Sequence, residues 1–278
     1  MGSQVLKKRI YHLSITIYGH ESIMPGYGIL SFHSPEIASS ATPGQFVMLK
    51  IDNSFDPLLP RPMSIHSIIK DDNRRIGFTI LYKVMGKGTR LLSKKRMGEK
   101  LGVIGPLGKG FDLNRLDSGC EPIIVGGGIG IAPLLFLASD LMEKGFKPSV
   151  FLGANSQEEL LGLKEFESMG VSPQVSTENG SKGVKGMVTD LLKSYLDGSR
   201  GVRGEVFTCG PPAMLEKVVS LAKRCGLKSQ LSLERHMACG LGACLGCVVR
   251  ITSKDSSQSF YQRVCTEGPV FNGEDIIR

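Results

Sequence analysis

Apolar and polar residues alternate with a period of two near the start of the chain, where Leu13, Ile15 and Ile17 are interleaved with His12, Ser14 and Thr16. That period predicts a strand with one buried face. Further candidate strands are Leu13–Tyr18, Gly28–His33, Phe46–Ile51, Met63–Ile69 and Ile76–Val84, separated by Gly and Pro turns. Short strands at such even spacing predict a small closed barrel, because closure removes exposed strand edges. A single helix, Thr89 to Met97, is expected to interrupt the pattern before Gly98.

After Cys120 the period lengthens to 3.6 and strands alternate with helices. Ile123–Val125 runs into Gly126-Gly127-Gly128-Ile129-Gly130, and a helix with Leu134, Leu135, Leu137, Ala138, Leu141 and Met142 on its buried face ends at Gly145. A strand at Val150–Leu152 precedes Ser156-Gln157-Glu158-Glu159, which reads as a capping box opening a helix that turns Leu160, Leu163 and Phe166 inward. Another strand and helix lie between Gln174 and Leu196. The last unit is Val206–Thr208, Cys209-Gly210-Pro211-Pro212 and a helix from Ala213 to Arg224. Strand–helix alternation with short turns predicts a doubly wound parallel sheet whose ligand lies at the carboxyl ends of the strands. The expected fold is therefore an N-terminal antiparallel β-barrel over residues 8–114, a central α/β sheet over 118–230 and a small C-terminal module over 231–278.

The net charge of +8 changes this picture little, since the cations fall in short groups such as Lys7-Lys8-Arg9, Arg74-Arg75 and Lys94-Lys95-Arg96. No basic, aromatic-interleaved patch for nucleic acid appears. The uncharged run from Ile123 to Ser139 is broken by glycines and Pro133 and is shorter than the ~20 apolar residues of a membrane span. The N-terminus lacks the apolar run of a signal peptide. The seven cysteines are odd in number and clustered, which argues against a disulfide framework and for a reducing, cytoplasmic setting. Cys120 and Cys225 read as plain thiols.

The remaining chemistry is concentrated at the end of the chain. Cys239, Cys244 and Cys247 follow the spacing C-x4-C-x2-C, with Cys265 further on and Gly240, Gly242 and Gly246 between. This is the plant-type [2Fe–2S] arrangement. The competing reading is a structural zinc site, although zinc knuckles usually come as two matched pairs and only one pair fits here. In the barrel, Arg61-Pro62-Met63-Ser64 opens a strand and Gly86-Lys87-Gly88-Thr89 opens the helix. An arginine fork suits a pyrophosphate, and a glycine-rich helix start offers N–H groups to a second anion; a solvated arginine and an ordinary capped helix are the plainer readings. The glycine turn at 126–130 departs from strict G-x-G-x-x-G, and serves either a dinucleotide or packing alone.

Taken in order, these motifs resemble the ferredoxin–NADP reductase superfamily from about Ile10 to Phe271. The stretch Glu234-Arg235-His236-Met237-Ala238-Cys239 through Cys247, closed by Cys265-Thr266-Glu267-Gly268-Pro269-Val270-Phe271, resembles the electron-transfer subunits of type B dihydroorotate dehydrogenases. The resemblance implies FAD on the barrel, NAD(H) on the α/β domain and a [2Fe–2S] cluster on the tail. It implies that Arg61, Pro62, Met63 and Ser64 bind FAD, with Ser64 near the reactive edge of the ring. Leu81, Tyr82 and Lys83 would line the flavin, and Gly88 and Thr89 would hold its phosphates. Gly127, Gly128, Ile129 and Gly130 would approach the nicotinamide nucleotide, with Cys209 and Gly210 beside the nicotinamide. Cys239, Cys244, Cys247 and Cys265 would ligate the cluster.

The expected function is a relay in which a hydride exchanged between NAD(H) and FAD leaves as single electrons. Its partner would be an FMN-containing catalytic subunit interconverting dihydroorotate and orotate in pyrimidine biosynthesis, in a hetero-oligomer, as a heterotetramer, without nucleic acid or membrane. The alternatives are a reductase subunit of a bifurcating transhydrogenase, sulfide dehydrogenase or hydrogenase, and a zinc-stabilised interaction protein. Two departures stand out. Gly153-Ala154-Asn155-Ser156 carries neither an acid for a ribose 2′-hydroxyl nor an arginine for a 2′-phosphate, so NADH over NADPH rests on the resemblance. Thr177-Glu178-Asn179-Gly180-Ser181 has Glu-Asn where two aspartates are expected, and Ser253 to Ser259 reads as an exposed polar turn.

Overall fold

The computed structural model describes residues 9–51, 56–199, 201–252 and 259–276. Lys7, Lys8 and most of the expected polar turn, 253–258, lie outside the described residues. Strands β1 (Tyr11–Met24), β2 (Tyr27–His33), β3 (Phe46–Lys50), β4 (Arg61–Asp71), β5 (Arg74–Lys83) and β6 (Lys100–Leu107) close an antiparallel barrel in the order β1-β2-β5-β4-β3-β6. Its core packs the inward residues of alternating strands, among them Ile17, Leu30, Phe32, Val47, Ile65, Phe78 and Ile80. Each such side chain contributes about 1.5–3 kcal/mol by leaving water.

Among the described residues two helices interrupt the barrel instead of the expected one. α1 (Pro35–Ser40) follows Ser34 with proline in its first turn, a start signal that the strand period around it obscures. α2 spans Lys87–Leu92, ending before Met97, with the Thr89 hydroxyl accepting from Met85 and Gly86 N–H at 2.8 and 3.1 Å.

Beyond the barrel come β7 (Glu121–Gly127), α3 (Ala132–Glu143), β8 (Ser149–Ala154), α4 (Leu163–Ser168), β9 (Gln174–Thr177), β10 (Val184–Lys185), α5 (Val188–Gly198), β11 (Gly204–Cys209), α6 (Pro212–Arg224) and β12 (Lys228–Ser232). The sheet order β10-β9-β8-β7-β11-β12 is parallel throughout, and it reverses direction between β7 and β11. α3 and α4 cover one face, and α5 and α6 the other. The expected capping box at Ser156 does not form. Gln157–Glu159 is a single 3₁₀ turn whose Gln157 N–H donates to the Ser181 hydroxyl, and α4 begins at Leu163 after Gly162 in the left-handed region. No helix among the described residues is long and apolar enough to cross a membrane.

The tail contributes a hairpin, β13 (Val248–Thr252) with β14 (Ser259–Arg263), and a last strand, β15 (Val270–Asn272), that pairs antiparallel with β12. The tail is thereby sewn into the central sheet, and Lys109 at the end of the barrel exchanges backbone bonds with Gly268 and Val270. α3 is shared as well. Its Phe136 lies in the barrel core, and the carbonyl of Ala132 bonds the buried His66 imidazole at 2.8 Å. Burial lowers the pKa of His66, so a neutral ring bridges barrel and sheet.

Glu205 on β11 is the most buried carboxylate of this joint, 3% exposed. It accepts from Gln230 Nε2 at 2.9 Å, and Gln230 also bonds both backbone groups of Asp112 in the linker. Burial outweighs the Gln230 bond and nearby cations and raises its pKa. A raised carboxyl favours the fold when protonated, and that contribution is lost as pH rises through the folded-state pKa. Glu205→Gln should therefore gain on the wild type between acid and neutral pH, by on the order of 1 kcal/mol or ~2–4 °C in Tm. Thermal melts across that range check this; a difference that shrinks as pH rises would contradict it.

Candidate functional site

Where the sheet order reverses, the carboxyl ends of β7 and β11 open a cleft of about 1100 Å³. Such switch points are where open α/β sheets take ligands. The β7–β11 register sets Gly126 opposite Cys209, which lays the glycine turn against the end of β11. Gly130 lies hard against backbone: a Cβ there would stand 2.5 Å from the carbonyl carbon and oxygen of Cys209 and from Gly210 Cα. The opposite wall comes from the barrel, through Met63, Ser64, Leu81 and Lys83, and one end is closed by Glu234 to Met237 after β12.

Two acidic groups of the cleft are biased toward their neutral forms. Burial pushes the Cys209 thiol up to about 12, helped by the charge of Glu234, so it remains protonated. Glu234 opens on the cleft yet is hemmed in by surrounding atoms, and that desolvation raises its carboxyl.

The barrel residues divide. Ser64, Met63, Pro62, Leu81, Tyr82 and Lys83 border the cleft, whereas Arg61 and Gly88 stand together outside its lining and the Thr89 hydroxyl is taken up by the turn at Met85 and Gly86. Arg61 Nη1 donates to Leu59 O at 2.6 Å, and Gly88 packs on its guanidinium so closely that a Cβ would lie 2.7 Å from Nε. The Tyr82 side chain turns into the barrel, where its hydroxyl meets His20 Nε2 at 2.8 Å. Lys83 is held charged mainly by Tyr27, over whose ring it sits.

The four tail cysteines lie two and two. Cys239 Sγ is 3.4 Å from Cys244 Sγ, at the surface. Cys247 and Cys265 are each 1% exposed, with the Cys265 N–H donating to Cys247 Sγ at 3.4 Å. Burial opposes ionisation of Cys239, but the N–H groups of Leu241, Cys244 and Ala243 and the Cys244 thiol prevail and lower it to about 6. Cys265 is pushed up to about 12, by burial first and then by Cys247. Two thiol pairs suit two irons with two sulfur ligands each. One zinc ion needs its donors around a single centre. The inner pair packs with Phe46, Met48 and Leu107 of the barrel. Phe46 in turn pairs with Ser64 across β3–β4 and borders the cleft.

A family model for the iron–sulfur cluster binding domain of dihydroorotate dehydrogenase B matches residues 234–277, and one for the oxidoreductase NAD-binding domain matches 124–220. The electron transfer subunit of dihydroorotate dehydrogenase B (NAD(+)) from Desulforamulus reducens is 35% identical, over 92% of this chain and 94% of its own. Its counterpart from a Geobacillus species is 37% identical over 95% and 97%, and that from Fusobacterium nucleatum 39% over 84% and 86%. The chain belongs to this family of electron transfer subunits.

Likeness in three dimensions agrees. The structure of an NADH-dependent reduced ferredoxin–NADP oxidoreductase matches with a TM-score of 0.80 at 28% identity, covering 95% of this chain and 90% of that one. A ferredoxin–NADP+ reductase from Neisseria gonorrhoeae shares the fold, with a TM-score of 0.63 at 17% identity over 78% and 92%. Glu234 and Phe46 also line the cleft, and the sequence did not single them out. An acid just past the end of β12 was the available signal for Glu234; nothing local marks Phe46. Glu159 and Glu178 also reach the cleft, at the ends of β8 and β9, the neighbourhood where Gly153 to Ser156 shows no acid.

Proposed function

We propose that the chain carries electrons between NAD(H) and an FMN-containing catalytic subunit that interconverts dihydroorotate and orotate. Bound FAD and a [2Fe–2S] cluster would supply the redox chemistry, the flavin exchanging electrons in pairs and the cluster singly. The observation that carries this reading is the placing of Phe46, which touches the cleft, pairs with Ser64 and packs with the inner cysteine pair.

The residues present fit these groups. The crowding of Gly130 against Cys209 and Gly210 leaves backbone, and no side chain, at the approach to a pyrophosphate. Gly127, Gly128 and Ile129 complete that turn, with Gly210 facing it. Arg61, backed by Gly88 with Thr89 next along α2, stands where a second pyrophosphate can lie along the barrel. Pro62, Met63, Ser64, Leu81, Tyr82 and Lys83 form the wall for a ring system. Cys209 bounds the cleft as a neutral thiol, and Glu234 places near it a carboxyl whose pKa is raised by burial. The buried Cys247 and Cys265 and the outer Cys239 and Cys244 would hold the cluster. Around the outer pair Leu241 and Leu245 are 48% and 60% exposed, an apolar rim suited to the catalytic partner in a heterotetramer. Seven free thiols fit the cytoplasm.

Co-expression with an FMN-barrel dihydroorotate dehydrogenase tests the assignment. The expected product is a yellow-brown complex with flavin, iron and acid-labile sulfide that reduces NAD+ with dihydroorotate. Zinc in place of iron, with no visible absorbance, overturns it.

A further inference from the structure

The turn that carries Cys265 is closed by its own flanking residues. Arg263 at the end of β14 and Glu267 face each other across it: Nη2 donates to Oε1 at 2.5 Å and Nε to Oε2 at 3.0 Å, the two-pronged geometry that fixes a guanidinium in place. The Arg263 backbone N–H adds a bond to Oε2 at 2.7 Å, and the Thr266 hydroxyl one to Oε1 at 3.0 Å. The third arm of the guanidinium, Nη1, leaves this turn and donates to the carbonyl of Gly242 at 3.1 Å. Gly242 lies between Cys239 and Cys244 with φ +83, and a Cβ on it would stand 3.1 Å from Nη1 and 2.9 Å from Thr266 Cγ2. One ion pair therefore touches the backbone of both cysteine segments, the outer and the inner.

We propose that Arg263 and Glu267 act as a balanced charge pair that sets the reduction potential of the cluster. This rests on the reading of the four cysteines as its ligands. Taking up one electron makes the cluster one unit more negative, and passing it to the acceptor reverses that change. A nearby cation favours the reduced state and a nearby anion the oxidised one. Because the two charges oppose each other, removing either leaves the other uncompensated. Arg263→Gln should lower the potential, Glu267→Gln should raise it, and the double variant should return close to wild type. Opposite signs separate this role from simple bracing, which would weaken the cluster in every variant alike.

The pair is partly exposed, so each single shift should be a threefold to tenfold change in the electron-exchange equilibrium, ~30–60 mV for one electron, shrinking with added salt. The measurement is an EPR-monitored redox titration of the full chain at low ionic strength, with iron and sulfide content determined in parallel. Opposite shifts that cancel in the double variant uphold the proposal. If Arg263→Gln retains no cluster, a rise in Glu267→Gln that the double variant reverses still upholds it. Shifts of the same sign, no shifts, or cluster loss in all three variants overturn it. Wild-type protein without iron or an EPR signal overturns the cluster reading together with the proposal.

Discussion

Replacing Cys247 with serine should stop electron delivery beyond the flavin while NADH oxidation by an artificial acceptor continues. Cys247 belongs to the inner thiol pair, at 1% exposure among Phe46, Met48, Val249 and Val264. A serine there offers a hydroxyl that does not ionise near neutral pH, and no water can replace the lost sulfur in so dry a setting. Since even outer-shell changes at metal sites cost 10–100-fold, losing a ligand should reduce transfer to the catalytic partner by about two orders of magnitude or more. The flavin and nucleotide sites draw nothing from this side chain, so the NADH–artificial acceptor rate should stay within about twofold, the scale of ~0.5 kcal/mol. Cys225→Ser, at an exposed thiol that caps the C-terminus of α6, is the control and should change neither rate. Iron analysis and the two assays decide the matter; unaltered iron content and transfer in Cys247→Ser would remove the inner pair from the relay.

Gly130→Ala should have the next largest effect, and at the other end of the path. The new methyl would stand 2.5 Å from the Cys209 carbonyl and Gly210 Cα, and both are backbone at the end of a central strand. Backbone cannot rotate aside as a side chain can, so turn and strand must part, at a cost of about 1–3 kcal/mol. That displacement falls on the groups offered to the nucleotide, so KM for NADH should rise roughly tenfold, 1.4 kcal/mol being a factor of ten. Steady-state kinetics with NADH and an artificial acceptor measure it. A wild-type KM would mean that the turn serves packing only.

Much of this organisation is legible along the chain because it is written in neighbours a few residues apart. The period-two strands of the barrel and the alternation of strands and helices after Cys120 appear in the structure. Local signals also mislead where a distant group takes part. The segment after Ser156 makes only a 3₁₀ turn with no side-chain cap bond, and its Gln157 N–H is held by the Ser181 hydroxyl from a distant loop. α1 is hidden because it is only six residues long and sits between strands β2 and β3.

The sequence by itself determined the kinds of site this protein carries: a barrel with an Arg-Pro-Met-Ser strand, a glycine turn opening a doubly wound sheet, and four cysteines at cluster spacing. Those are contiguous motifs whose chemistry depends on residue type and short spacing. Only the tertiary structure decided how they communicate. Pairing between β3 and β4 sets Phe46 beside Ser64, packing of the tail sets Cys247 and Cys265 against the same residue, and β15 sews the cysteine module to the sheet. These contacts join residues far apart in the chain, and no local period encodes them. They exist because burying the apolar faces of barrel, sheet and tail together leaves one arrangement in which cleft and cysteine pairs share a wall.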